Sequence, residues 1–450
     1  MIPNQNRRPW KSLSAGLILL PIAMFYGLLA RQTINMPFLD DYTGVLALVN
    51  SWTRLGTFHE KVMLVLTAQH NEYKLIVANT LSVIQYLIFG QINFSVLSTI
   101  GNALILPLFF VVYLMWRADS RTISEKLVLF IPVSWLLFQF QYYSLLNWPM
   151  SSLQHVAVIL FALITIYLLS KDQTSAFYWG LLSLAFAIAA SGNGFFVVPI
   201  GGIMLLQFRR FARLASWIGI SIVFLAFYLY KYDFHRSQAH SDGSITSSIY
   251  HLSPLYSLSF LGASIARYQD YALSAILGTC LCLIFIYSIV DKFYQRNPAI
   301  FYSMTFIIIT AIAVSGLRSD LGVSQSLVSR YRMYSNLMLI FVYLYAIGKW
   351  HSRLNTRYLR LAAITLVAFF AVGFNAGSDY AGFKLLRIRT DLTVEGMRRW
   401  EHGETSITLS PGPVNEDVVI KRQRLNGNYE PEDLFLRESI SLHTYSPPPL

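Results

Sequence analysis

The sequence predicts an all-α polytopic membrane protein of about eleven transmembrane helices, with surface helices on its outer face and a small carboxyl-terminal extramembrane tail. Three observations predict it. Of 450 residues, 55% are hydrophobic and only 13% charged, roughly half the charged share that a fully water-facing surface requires. The apolar residues gather into runs of about 16 to 22, the length that crosses a hydrocarbon core. Basic residues gather in alternate gaps between those runs, as the positive-inside bias demands.

The same composition excludes other classes. A net charge of +12 is set by membrane orientation rather than by nucleic acid, since the bases sit in short loops between spans. The two cysteines, Cys280 and Cys282, lie together in an apolar run, which leaves no disulfide framework and no four-ligand zinc site.

The first run, 13–30, follows Arg7, Arg8 and Lys11 and precedes no small-x-small cleavage site, so it reads as an uncleaved first span. The next, 75–89, is broken by Asn79 and Gln85 and reads as a helix lying on the membrane surface within a first outer loop at 31–94. Six spans follow at 95–116, 127–143, 152–170, 175–190, 195–208 and 214–230. The stretch 255–266, interrupted by Ser264, is a second surface helix, and spans at 271–290, 299–316, 333–348 and 361–375 complete the set. After 375 the composition turns polar, so residues 1–375 form a membrane domain and 376–450 an extracytoplasmic tail.

Charge decides the topology. With the amino terminus in the cytoplasm, the inner loops hold about 16 of the 35 Lys and Arg in roughly 50 residues, and the outer loops about 10 in roughly 110. Making 75–89 a span would invert every later loop against this bias. The acids run the other way: Asp40, Asp41, Glu60, Glu72, Asp233, Asp242, Asp270 and Asp320 fall outside. Acids contribute little to orientation, so their excess points to an outward-facing site that uses carboxylates.

The densest constellation is Asp40-Asp41, immediately after the first span, with Gln69-His70-Asn71-Glu72-Tyr73-Lys74 about 30 residues later. Adjacent carboxylates at an apolar boundary raise one another's pKa and make one a proton acceptor. Asp40, His70 and Glu72 offer oxygen and nitrogen ligands to a divalent cation such as magnesium or manganese, and Lys74 offers charge to a phosphate. The plain alternative is an Asp40 that caps a surface helix. A second constellation, Arg318, Asp320 and Ser329-Arg330-Tyr331-Arg332, lies at the outer end of late spans, where Arg binds a lipid phosphate bidentately or merely snorkels to the interface. His155, below the turn Asn147-Trp148-Pro149, is either a substrate contact or a hydrogen-bonded intramembrane histidine.

These phrases resemble the GT-C superfamily of polytopic glycosyltransferases that use polyprenyl-phosphate-linked sugars. Asp40-Asp41 matches the acidic pair of its first outer loop, and Phe89-Gly90-Gln91-Ile92-Asn93-Phe94 is similar to its F-G-x-x-N-F pattern. His70-Asn71-Glu72-Tyr73-Lys74 resembles an H-N-E-H-R phrase of bacterial members, with Tyr and Lys replacing His and Arg, and Ser329-Arg330-Tyr331 matches a late S-R-Y. The resemblance implies that Asp41 or Asp40 is the general base for an acceptor hydroxyl and that Arg330 holds the departing lipid phosphate.

The expected function is therefore transfer of a hexosyl or pentosyl unit from a polyprenyl-phosphate donor to a glycan, glycolipid or protein acceptor. It would occur at the outer face of a bacterial inner (plasma) membrane, as part of cell-envelope glycan assembly. The rivals are a polysaccharide polymerase or ligase and a non-enzymatic flippase or transporter of lipid-linked glycans. Transporters place charges near the midplane, and the spans here hold no basic residue there. The topology is checked by a reporter fused after residue 400: activity outside the cytoplasm is expected, and activity only inside would overturn the assignment.

Overall fold

The computed structural model describes residues 8–116, 123–234, 252–266, 270–350, 357–403 and 416–431. Helices account for nearly all of them, with no strand among the described residues and two isolated bridges, His70 to Tyr73 and Ile92 to Tyr429. Among the described residues, seven segments are long and apolar enough to cross a bilayer: Ser12–Ala30, Phe94–Trp116, Glu125–Leu146, Pro149–Leu169, Phe211–Leu229, Tyr271–Val290 and Pro298–Leu321. This is the architecture of an all-α multi-pass membrane protein. The expected spans at 175–190 and 195–208 are the shorter helices Thr174–Ala190 and Val197–Gln207. Those at 333–348 and 361–375 lie within Arg332–Trp350 and Arg357–Glu401.

Hydrogen bonds between chain-distant groups sort the bundle into two ends. At one end, Asn297 donates to the Met115 carbonyl (3.0 Å), Arg210 to those of Leu169 (3.0 Å) and Lys171 (2.7 Å), and Lys349 pairs with Asp291 at 2.9 Å. At the other, Ser98 donates to the Leu146 carbonyl (2.6 Å), Lys74 N–H to the Tyr228 hydroxyl (3.1 Å), and Ser264 N–H to Ser335 (2.9 Å). The acidic pair Asp40-Asp41 belongs to this second end.

One span is broken, and the last helix repairs it. Helix Ile123–Leu137 stops, and a 3-10 turn, Phe140–Tyr142, leads into the short helix Tyr143–Leu146. In a lipid environment each carbonyl and N–H freed by such a break must find a partner. Asn375 donates to the carbonyls of Trp135 (2.8 Å) and Phe138 (3.0 Å), and the Asp379 carboxylate accepts from Phe140 N–H (2.7 Å). Gly382, one turn further, lets the two backbones touch, because a Cβ there would collide with the Phe140 carbonyl.

The expected boundary at 375 therefore falls inside one continuous helix, Arg357–Glu401. Its far end, with helix Glu416–Leu425 and residues 426–431, is not a separate tail. Met397, Trp400, Ile420 and Tyr429 join a second, smaller core with Tyr42, Leu46, Phe94, Trp148 and Met150. Polar contacts lock it: Ile92 N–H donates to the Asn428 carbonyl (2.8 Å) and Tyr429 to that of Asn35 (2.9 Å). Asn35 in turn accepts from Phe94 N–H (2.8 Å).

Gly382→Leu should force the last helix away from Phe140 and cost about 1–3 kcal/mol, read as a lower unfolding temperature of the detergent-solubilised protein. Gly377→Leu on the same helix, where a Cβ meets nothing within 4 Å, should be close to neutral.

Candidate functional site

The two adjacent aspartates have unlike surroundings. Asp41 is fully buried: its Oδ2 accepts from Phe38 N–H (2.9 Å) and its Oδ1 from Met150 N–H (3.1 Å). It thus joins the first loop to the start of helix Pro149–Leu169, and it is Asp41, not Asp40, that caps the local 3-10 turn. Asp40 keeps 39% of its side chain exposed, with its Oδ1 3.4 Å from His70 Nε2. Leu39, just before the pair, has φ 49°, and Asn71, beside His70, has φ 48°. Both turns hold left-handed backbone, tolerable for Asn and strained for Leu.

The His70–Lys74 phrase folds as a tight turn closed by mutual backbone bonds between His70 and Tyr73 of 2.9 and 3.0 Å. The turn sends its side chains to different places. Glu72 meets the Arg318 guanidinium in a partly buried ion pair. Lys74 is wholly buried, and its ammonium donates to the Tyr230 carbonyl at the end of helix Phe211–Leu229. It is a tie between loop and helix rather than the phosphate ligand expected. Asp40, His70 and Glu72 likewise do not converge as metal ligands, because Glu72 turns to Arg318. Among the described residues no three His, Cys, Asp or Glu side chains could hold a metal ion.

The late Ser329-Arg330-Tyr331 turn comes to the Trp148 ring. Arg330 Cζ lies 5.7 Å from the centre of the Trp148 ring and 5.3 Å from that of Tyr331. Trp148 in turn meets Phe38 edge to face at 5.9 Å. Since Asp41 is bound to Phe38 N–H and to Met150 N–H, two residues from Trp148, the aromatic pair forms a wall shared by carboxylate and guanidinium. Arg332 is tied within its own loop, its Nε donating to the Leu327 carbonyl at 3.2 Å. His155 stands edge-on to Tyr331 (6.1 Å) and Tyr334 (6.3 Å), and its Nδ1 has no protein partner. Trp148, Ser151 and His155 are spaced for one helical face, and Trp148 Nε1, Ser151 Oγ and His155 Nδ1 are all buried and unpartnered.

One group was not legible as part of a site. Arg389, in the stretch assigned to a tail, lies over the Phe38 ring with Cζ 3.2 Å from its centre, and its Nη1 donates to the Ser144 carbonyl at 3.1 Å. Ser144 N–H also donates to Ser329 Oγ (3.0 Å), so one residue anchors both Arg389 and the Arg330 turn. The only sequence signal was a run of basic residues in the last helix, which resembles any solvated helix face.

Burial dominates the electrostatics. It pushes the Asp41 carboxyl up to about 8, against the pull of the two N–H bonds and of the Arg389 charge. The same burial pushes Arg389 down to about 9, against the stabilising charge of Asp41. No family model matches the chain, and neither a curated protein nor a solved structure matches it.

A raised carboxyl pKa means that the folded protein holds a proton which the unfolded chain releases between about pH 4 and 8. Asp41 therefore contributes stability that is present at low pH and is lost as pH rises through that window. Asp41→Asn should flatten that slope and cost about 1–3 kcal/mol at neutral pH, because its amide sets an N–H against a backbone N–H. Thermal unfolding of both proteins from pH 5 to 9 checks this.

Proposed function

We propose that the chain is an integral membrane glycosyltransferase that moves a sugar from a polyprenyl-phosphate donor to an acceptor at the Asp41 end of the bundle. One observation carries this reading: the loop that bears Asp40 and Asp41 and the Arg330 turn, about 290 residues apart in sequence, meet through the contacting rings of Phe38 and Trp148. A proton acceptor and a phosphate-binding cation at one end of the bundle are what transfer from a lipid phosphate requires.

Asp40 is the base. It is the carboxylate of the pair that an acceptor hydroxyl can reach, and its Oδ1 lies 3.4 Å from His70 Nε2. Asp41, with an N–H on each oxygen, is the scaffold. As Asp40 takes the hydroxyl proton, the acceptor oxygen bonds to sugar C1 and the C1–phosphate oxygen bond breaks. The phosphate leaves with its electron pair toward Arg330. An apolar groove of about 390 Å³, between helices Ile76–Phe89, Thr174–Ala190 and Phe211–Leu229, suits the hydrocarbon tail. Ile76, Leu182, Phe186, Val223, Phe227 and Tyr228 line it, and Tyr228 bonds to Lys74 next to the His70 turn.

The reading places eleven spans in a bacterial plasma membrane, with the amino terminus cytoplasmic and the Asp41 end outside. What supports that count is a helix at each of the eleven apolar stretches.

Asp40→Asn should lower transfer by a factor of about 100 or more while leaving the unfolding temperature unchanged, since the side chain is half exposed and donates nothing to the core. Transfer is measured in membranes supplied with polyprenyl-phosphate sugar and acceptor. Near-normal turnover by this variant would remove Asp40 from the base position and move the transporter reading ahead.

A further inference from the structure

Arg389 poses a question that the base and the Arg330 turn leave open. A guanidinium carries five N–H donors and no acceptor, and burying one is costly unless its donors are met. Here one nitrogen, Nη1, has the Ser144 carbonyl, whereas Nε and Nη2 are buried with no protein partner. Nε and one terminal nitrogen are the edge with which arginine grips a phosphate or carboxylate bidentately.

The obvious internal partner does not take that edge. Asp41 is close enough to act on Arg389 through its charge, but no ion pair joins them, and each Asp41 oxygen is already bound to a backbone N–H. Stacking of the guanidinium on Phe38 leaves its in-plane donors unspent. The anchoring is also specific. Ser144 holds Arg389 through its carbonyl and the backbone turn that carries Arg330 through its N–H, so one residue ties the two arginine-bearing segments together, with Arg389 over Phe38 and Arg330 over Trp148.

We infer that Arg389 is a second anion-binding residue of this site and that, with Arg330, it forms a two-arginine seat for one phosphate group. The inference rests on the lipid-phosphate reading for the source of that phosphate, but the seat itself is built from Arg389, Ser144, Phe38 and Trp148. It assigns to the last helix a direct part in substrate binding. It also accounts for the unmet donors of a buried guanidinium: the bound phosphate supplies the acceptors that the protein withholds.

The experiment measures binding rather than transfer. Purified full-length protein in nanodiscs is titrated with a polyprenyl monophosphate, with the uncharged polyprenol of the same length, and with inorganic phosphate. The wild type should prefer the lipid phosphate to the polyprenol, and Arg389→Gln should reduce that preference about tenfold or more, as loss of a charge-assisted bidentate contact does. Polyprenol binding should not change, which a merely structural role for Arg389 would not predict. Arg389→Lys, which keeps the charge without the fork, should fall between the two, and it carries the test if the Gln variant does not fold. An unaltered preference in a folded Arg389→Gln protein overturns the seat while leaving the donor reading intact. A wild type that does not distinguish lipid phosphate from polyprenol overturns both. Arg389-dependent binding of inorganic phosphate as tight as that of the lipid would retain the seat and overturn the lipid origin of its ligand.

Discussion

The site depends on one buried carboxylate. Asp41 is wholly withdrawn from solvent, yet each oxygen accepts a backbone N–H, one from the first loop and one from the start of the Pro149 helix. Burial of a polar group is costly unless it is hydrogen-bonded, so this carboxyl group can sit there only while both donors are held against it. The constraint works in both directions. It fixes Phe38 and Met150 relative to each other, and with them the Phe38–Trp148 ring pair. It also holds the strained Leu39 backbone that turns Asp40 outward toward His70.

A second constraint comes from the membrane. A broken helix in apolar surroundings leaves carbonyls and N–H groups that water cannot reach. The last helix supplies the partners from Asn375 and Asp379, and Gly382 gives the close approach that this needs. Once the helix is set against the break, its continuation carries Arg389 to Ser144 and Phe38 about two turns later. Repair of a backbone defect and delivery of a cation to the site are the same packing event.

Polar groups without protein partners are otherwise scarce in folded interiors, yet several cluster at the Asp41 end. Trp148 Nε1, Ser151 Oγ, His155 Nδ1 and two nitrogens of Arg389 are buried and unpartnered. At the opposite end the charged groups are met: Asp291 by Arg296, Lys349 and Tyr345, and Arg210 by two carbonyls and Asp172. Charges at that end are spent on internal ties, as are Lys74 and Arg318 at the Asp41 end, whereas Arg389 keeps donors in reserve. That asymmetry suits a bundle with one working end.

What the sequence determined by itself was set by local composition. Apolar run length specified where helices lie, because hydrocarbon thickness is matched residue by residue, and helices occupy each of those stretches. The Asp40-Asp41 phrase and the Ser329-Arg330-Tyr331 phrase were legible as chemistry because charges are conspicuous beside lipid. Only the tertiary structure decided the rest. It divided two adjacent and chemically identical aspartates into a buried tie and an exposed group, since their difference lies in Phe38, Met150 and His70 rather than in their neighbours along the chain. It turned Glu72 and Lys74 from ligand candidates into partners of Arg318 and Tyr230. It brought Arg389 in from a polar stretch by extending one helix through position 375. A polar stretch meets a sequence reading as solvent-facing, because the groups that bury it arrive from more than 200 residues away and leave no periodic trace in its own pattern.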